Sequence, residues 1–254
     1  MKRLLSYLLT PIHLLAFGLV LLVFHAVQWL ARKLGGYAWH KHAVDGLNVC
    51  LLRSLWFLGS HGRAVNRRPL PTDRPLLIIS NHQSMHDIPG LSWFFRQHHP
   101  KYVSKIELGT GIPSVSYNLR HGGSVLINRK NPRQALPAMQ QFARYIEQNC
   151  YAAVLFPEGT RGRTGAPKPF ATRGIKIMLK YMPSALIVPV TINDTWRIQL
   201  GFPMQVGARP TWTQHAPIEP QGREIDEVIA EVEALIKGSI LQASHADQQA
   251  DLHT

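Results

Sequence analysis

From Leu4 to Ala31 no position is charged, and the run LLSYLLTPIHLLAFGLVLLVFHAVQWLA exceeds the ~20 residues a helix needs to cross hydrocarbon. Lys2 and Arg3 precede it, but no small-residue cleavage site follows, so it reads as a retained membrane segment rather than a signal peptide. A second apolar stretch, Val44 to Leu58, contains Asp45 and Arg53, both costly at mid-bilayer. There Leu47, Leu51, Leu55 and Leu58 recur at helical spacing, which predicts an amphipathic helix lying in the interface or packed on the first. Basic residues flank the first segment on both sides, so charge gives no crossing direction. That symmetry favours a helical hairpin, turned at Gly35-Gly36, that re-enters one leaflet over a single span followed by a surface helix.

The pattern changes after residue 60. Residues 61–72 are basic, lack periodicity and carry two prolines, and they read as a linker between a membrane unit (1–60) and a globular domain (73–243). Within the domain, short apolar runs predict strands at Leu76–Ser80, Tyr102–Ser104, Ser124–Ile127, Ala153–Phe156, Leu186–Ile192 and Met204–Gly207. Helices are predicted at Ile88–Gln97, Pro132–Gln148, Gly174–Tyr181 and Glu224–Leu241, with residues 244–254 a polar, frayed tail. Strands alternating with helices imply an α/β fold: a mostly parallel mixed sheet flanked by helices, preceded by the N-terminal membrane-associated hairpin.

Charge sharpens this picture. The net +13 is uneven: residues 1–70 carry nine Lys/Arg against Asp45, residues 71–218 carry seventeen against six acids, and residues 219–254 carry two against eight. An excess of this kind draws a protein to polyanions, and beside the apolar N-terminus it points to anionic membrane lipids. No nucleic-acid-binding module accompanies it, so nucleic acid is not an expected partner. Cys50 and Cys150 have neither disulfide-framework nor zinc spacing, and no metal is expected.

In a sheet of this class the ligand site lies outside the carboxyl ends of the strands. Two polar clusters fall there: Asn81-His82-Gln83-Ser84-Met85-His86-Asp87 and Pro157-Glu158-Gly159-Thr160-Arg161. If the loop turns back, His82 and Asp87 form a base with its orienting carboxylate, able to take a proton from a hydroxyl. On spacing alone, Asp87 as a helix cap and His82 as a surface residue is the more ordinary reading, since a His and an Asp five apart are common. No GxSxG, Walker loop or GxGxxG is present, which disfavours a covalent serine hydrolase, and Ser84 is better read as a cap than a nucleophile. Arg129 and Arg161, with Lys105 and Thr160, offer donors for an anionic group such as a phosphate. Gly159 after Glu158 lets backbone approach a ligand closely.

Taken together, Asn81-His82-Gln83-Ser84 with Asp87, Arg129 after Val125–Ile127, Phe156-Pro157-Glu158-Gly159-Thr160-Arg161, and Val188-Pro189-Val190 resemble the four ordered motifs of the glycerophospholipid acyltransferase family. Within it the chain is most similar to the 1-acyl-glycerol-3-phosphate (lysophosphatidic acid) acyltransferases, over about residues 75–192. The resemblance implies that His82 deprotonates the sn-2 hydroxyl of a lysophospholipid, Asp87 orients it, and the hydroxyl attacks an acyl-CoA or acyl-carrier-protein thioester. It also implies that Glu158, Gly159, Thr160 and Arg161 hold the glycerol phosphate with Arg129, that Pro189 shapes the acyl side, and that no cofactor is needed beyond the thioester co-substrate. Lys105-Ile106-Glu107-Leu108 matches the family's Lys-x-Glu-Leu segment. The chain departs from the family at Ser116-Tyr117, where Gly-Trp is usual, and at Pro169–Gly174, which holds one extra residue. The expected location is the cytoplasmic face of the cell membrane. Competing readings are a related enzyme with another lysolipid acceptor, such as a lyso-ornithine lipid, and a non-catalytic lipid-binding membrane scaffold.

Overall fold

The computed structural model describes residues 2–162, 164–198 and 201–251. The first helix, α1 (Lys2–Ser54), breaks at Gly36, whose φ of 62° and ψ of −144° suit glycine because it has no Cβ. The two arms fold back on each other. His13 Nδ1 donates to the Ser54 carbonyl at 2.9 Å, and His40 Nε2 to Gln28 Oε1 at 3.1 Å. In one straight helix His13 and Ser54 would stand about 60 Å apart. The arms approach closely enough that a Cβ at Gly46 would lie 2.9 Å from the Phe24 ring. This is the hairpin that the Gly35-Gly36 pair predicts, and Leu4, Leu8, Leu15, Leu19, Leu22, Trp29 and Leu30 stand exposed along it. By length and composition, α1 carries an apolar stretch sufficient to cross a membrane.

A seven-stranded sheet follows in the order β1-β7-β6-β2-β5-β3-β4. Its strands are β1 (Arg63–Val65), β2 (Leu76–Ser80), β3 (Lys101–Lys105), β4 (Val125–Ile127), β5 (Ala152–Leu155), β6 (Leu186–Asn193) and β7 (Thr211–Gln214). All neighbours pair parallel except β6 with β7. Successive side chains of a strand point to opposite faces, and the cores divide accordingly. Leu77 and Ile79 face helices α4 (Pro132–Asn149), α5 (Thr172–Tyr181) and α6 (Ile225–Asp251), where Ile146, Met178 and Val232 are fully buried. Leu76 and Ile78 face Leu91 of helix α2 (Asp87–Phe94), together with Phe95 and Trp212. The Trp212 indole lies between two glycines: a Cβ would come within 2.1 Å of it at Gly90 and 2.8 Å at Gly62.

The structure departs from the sequence expectations in four places. Met204–Gly207 is not a strand, because its backbone is engaged by the hairpin: the Met204 N–H donates to Thr10 Oγ1 and the Gly207 N–H to the Leu58 carbonyl, both at 2.9 Å. The strand lies instead at β7. The segment expected as linker contributes β1, which covers the otherwise open edge of β7. A helix not foreseen, α3 (Val115–His121), packs beside the hairpin, where Ser114 Oγ donates to the Leu21 carbonyl at 2.7 Å. Helix α6 continues through Asp251 where a frayed tail is predicted, consistent with the Ala and Gln there; residues 252–254 lie outside the described residues.

Candidate active site

Strand β2 delivers the first cluster. At its end the Asn81 side chain imitates a backbone pair, donating to the Ile192 carbonyl and accepting the Ile192 N–H, both at 2.7 Å. This ties the end of β2 to β6, and the chain then turns back through Gln83 to Asp87. His82 Nδ1 lies 2.7 Å from Asp87 Oδ2, which also accepts the N–H groups of Gln83 at 2.7 Å and Ser84 at 2.9 Å. Asp87 Oδ1 accepts the Thr195 hydroxyl at 2.5 Å. Asp87 is fully buried and the His82 side chain is only 14% exposed, so neither is the surface cap or surface histidine that spacing alone allowed. A carboxylate can only accept, which puts the shared proton on Nδ1 and leaves the Nε2 lone pair free to take another. Phe156 stacks on the imidazole at 4.2 Å between centroids and 19° between planes, fixing its orientation. Ser84 Oγ accepts the His86 N–H at 3.3 Å within the loop; the residue that precedes α2 is His86, so Ser84 is not the helix cap that the sequence suggests. The neighbouring His86 is wholly buried against His13, and that burial pulls its pKa down to about 3.

His82 opens onto a cavity of about 700 Å³. Ser84, Met85 and Phe156 line it near the imidazole, and Lys105, Arg129, Thr160 and Arg161 bring donors to the same space. Arg129 donates to the Gly159 carbonyl. Gly159 itself has a φ of 71°, and a Cβ there would stand 3.7 Å from that guanidinium. Glu158 does not line the cavity. Its Oε1 accepts the His82 N–H at 3.0 Å and its Oε2 the Lys168 N–H at 3.4 Å, while the Gly162 N–H donates to the His82 carbonyl at 2.7 Å. The loops after β2 and β5 are thereby stitched together around His82. Burial raises the Glu158 pKa, and the two N–H donors oppose the rise. Pro189 is buried in β6 opposite Ile79 and is not among the residues lining the cavity. A second, apolar cavity of about 340 Å³, lined by Leu136, Met139 and Ile175 among others, shares Val103, Arg129, Phe156 and Gly159 with the first.

Of the residues read from sequence, His82, Lys105, Arg129, Gly159, Thr160 and Arg161 therefore meet at one cavity, with Asp87 directly behind His82. Sequence reasoning missed Thr195, which lies far along the chain from Asp87 and carries no local signal. It also passed over the stacking of Phe156, although an aromatic at a strand end facing a histidine was available to find.

A family model described as acyltransferase matches residues 62–193, just over half of the chain and the span that holds His82, Asp87 and the donors lining the cavity. The chain belongs to the acyltransferase family. A relative from Helicobacter pylori J99, 1-acyl-sn-glycerol-3-phosphate acyltransferase, is 33% identical over 127 residues, covering 47% of this chain and 51% of that protein. A relative of the same name from Limnanthes douglasii is 26% identical over 186 residues, covering 72% of this chain and 61% of that protein. The chain thus spans about half to three fifths of the length of these curated relatives. Among solved structures, the crystal structure of the 1-acyl-sn-glycerophosphate (LPA) acyltransferase PlsC from Thermotoga maritima superposes with a TM-score of 0.79 at 21% identity. It covers 96% of this chain and 98% of that one. The likeness of fold thus takes in hairpin and sheet together.

Proposed function

We propose that this acyltransferase moves a fatty acyl group from an acyl-CoA or acyl-carrier-protein thioester to the sn-2 hydroxyl of lysophosphatidic acid, giving phosphatidic acid. The observation that carries this reading is the His82–Asp87 pair at 2.7 Å, facing a cavity that also presents Arg129, Arg161 and Lys105. His82 Nε2 takes the proton of the acceptor hydroxyl, and the oxygen attacks the thioester carbonyl carbon. When the tetrahedral intermediate collapses the C–S bond breaks, and the imidazolium returns the proton to the leaving thiolate. Asp87 holds the tautomer and stabilises the transient cation. Arginines suit the phosphate of the acceptor because their planar fork binds it bidentately. The apolar second cavity, sharing Phe156 and Gly159 with the first, suits a hydrocarbon chain. The exposed apolar hairpin would sit in one leaflet at the cytoplasmic face, among anionic lipids, and bring the cavity to an acceptor that resides there.

The test is purified protein in detergent micelles, assayed with a panel of lysolipid acceptors and both donor types. His82→Ala is expected to lose acyl transfer to lysophosphatidic acid while still sedimenting with anionic vesicles. Turnover retained by that variant would refute the mechanism, and turnover by the unmodified chain only with another lysolipid would replace the acceptor.

A further inference from the structure

We propose that Thr195 is a positioning residue for the reaction: its hydroxyl pins the Asp87 carboxylate and, through it, the imidazole of His82. The inference rests on the acyl-transfer reading above and deepens it. Asp87 Oδ2 is where three donors converge, the His82 ring and the N–H groups of Gln83 and Ser84. A carboxylate held through one oxygen alone can still swing the other. Thr195 Oγ1 supplies the second anchor, 2.5 Å from Oδ1, from a side chain with no exposed surface. The amide oxygen of Gln83 lies at 3.3 Å from the same hydroxyl, but a hydroxyl has one proton, and the nearer, charged acceptor takes it.

The backbone is shaped to deliver this contact. Asp194, immediately before Thr195, has a φ of 67°, the left-handed region that asparagine and aspartate tolerate and that tends to persist only where the surroundings enforce it. Arg197 enforces it here, donating from Nε to Asp194 Oδ1 at 2.8 Å and from its N–H to the Asp194 carbonyl at 3.2 Å. This bend ends β6 and turns Thr195 inward. The Asn81 clamp on Ile192 fixes β6 against β2, so donor and acceptor arrive from two strands already locked in register. A valine would match the threonine in shape but leave Oδ1 buried with no donor among the described residues.

The experiment compares Thr195→Val and Thr195→Ser in the full chain. Losing a buried hydrogen bond to a charged group is expected to lower kcat roughly ten- to hundredfold, with KM for donor and acceptor nearly unchanged. Thr195→Ser restores the rate. A carboxylate short of one donor attracts the imidazolium proton more strongly, so the acid limb of the pH–rate profile should move to higher pH in the valine variant. The same shift should appear without substrate, in the pH midpoint for modification of the His82 peptide by diethyl pyrocarbonate, followed by mass spectrometry. If the valine variant does not fold, Thr195→Ala removes the hydroxyl with less crowding and gives the same readouts. Unshifted midpoints in the variants lacking the hydroxyl, or an equal loss in Thr195→Ser, overturn the proposal. A shifted midpoint in a chain that acylates no lysolipid upholds the positioning role and overturns the assigned reaction instead.

Discussion

Lys101 tests the energetics of the seam between hairpin and sheet. It is buried in β3, and its Nζ donates to Tyr37 Oη at 2.9 Å while lying 4.8 Å from the Tyr37 ring and 5.3 Å from that of Tyr151. Burial pulls its pKa down from 10.5 to about 7, with the charge of Lys41 adding to the fall and Asp45 opposing it. The folded chain therefore binds fewer protons than the unfolded chain between pH 7 and 10.5, and stability should climb with pH across that window. Below pH 7 the full penalty for a buried ammonium is present; above 10.5 it is gone. At pH 7 the difference amounts to roughly 4 kcal/mol. Lys101→Met keeps the stem and removes the amine, and Tyr37 Oη keeps a partner in His99 Nδ1 at 2.7 Å. Followed by tryptophan fluorescence in detergent, the variant should unfold roughly 8–16 °C higher at pH 7 and lose the rise with pH. Parallel curves for the two proteins from pH 6 to 10, or a less stable variant at pH 7, would show the reasoning to be wrong.

Two further substitutions probe the site. Gly90→Ala places a methyl 2.1 Å from the Trp212 ring, so it should destabilise by about 1–3 kcal/mol and, because that indole donates to the Asp87 carbonyl at 3.2 Å, lower kcat as well; an unchanged melting temperature would count against it. Arg161→Ala should raise KM for lysophosphatidic acid about tenfold while leaving KM for the thioester near its original value, and the opposite pattern would move the phosphate elsewhere in the cavity.

The sequence was most legible where burial leaves a continuous mark. Leu76–Ser80 is buried at every position and matches the expected strand to its last residue, because a strand covered on both faces cannot alternate. The loop from His82 to Asp87 was legible for the same reason, since a polar loop directly after such a strand is conspicuous. What escaped lacks that mark. Arg63–Val65 and Thr211–Gln214 are short and partly polar, and each becomes a strand only by pairing with a neighbour distant in sequence. Glu158, a substrate ligand only by what the family resemblance implies, turns its oxygens to the backbone N–H groups of His82 and Lys168, contacts between loops that no sequence spacing announces. Thr195 was invisible for a similar reason: a contact formed across the fold has no period along the chain.

The seating of Trp212 has a bearing on how such a chain can vary. One ring fills the spaces left by the missing side chains of Gly62 and Gly90, and its nitrogen holds the first turn of α2. A larger residue at either glycine needs a smaller one at 212, and a smaller ring at 212 leaves a void that only new bulk at the glycines can fill. Sites on three separate elements are thus bound into a single unit of inheritance, and drift at any one of them is open only to lineages that change the others with it.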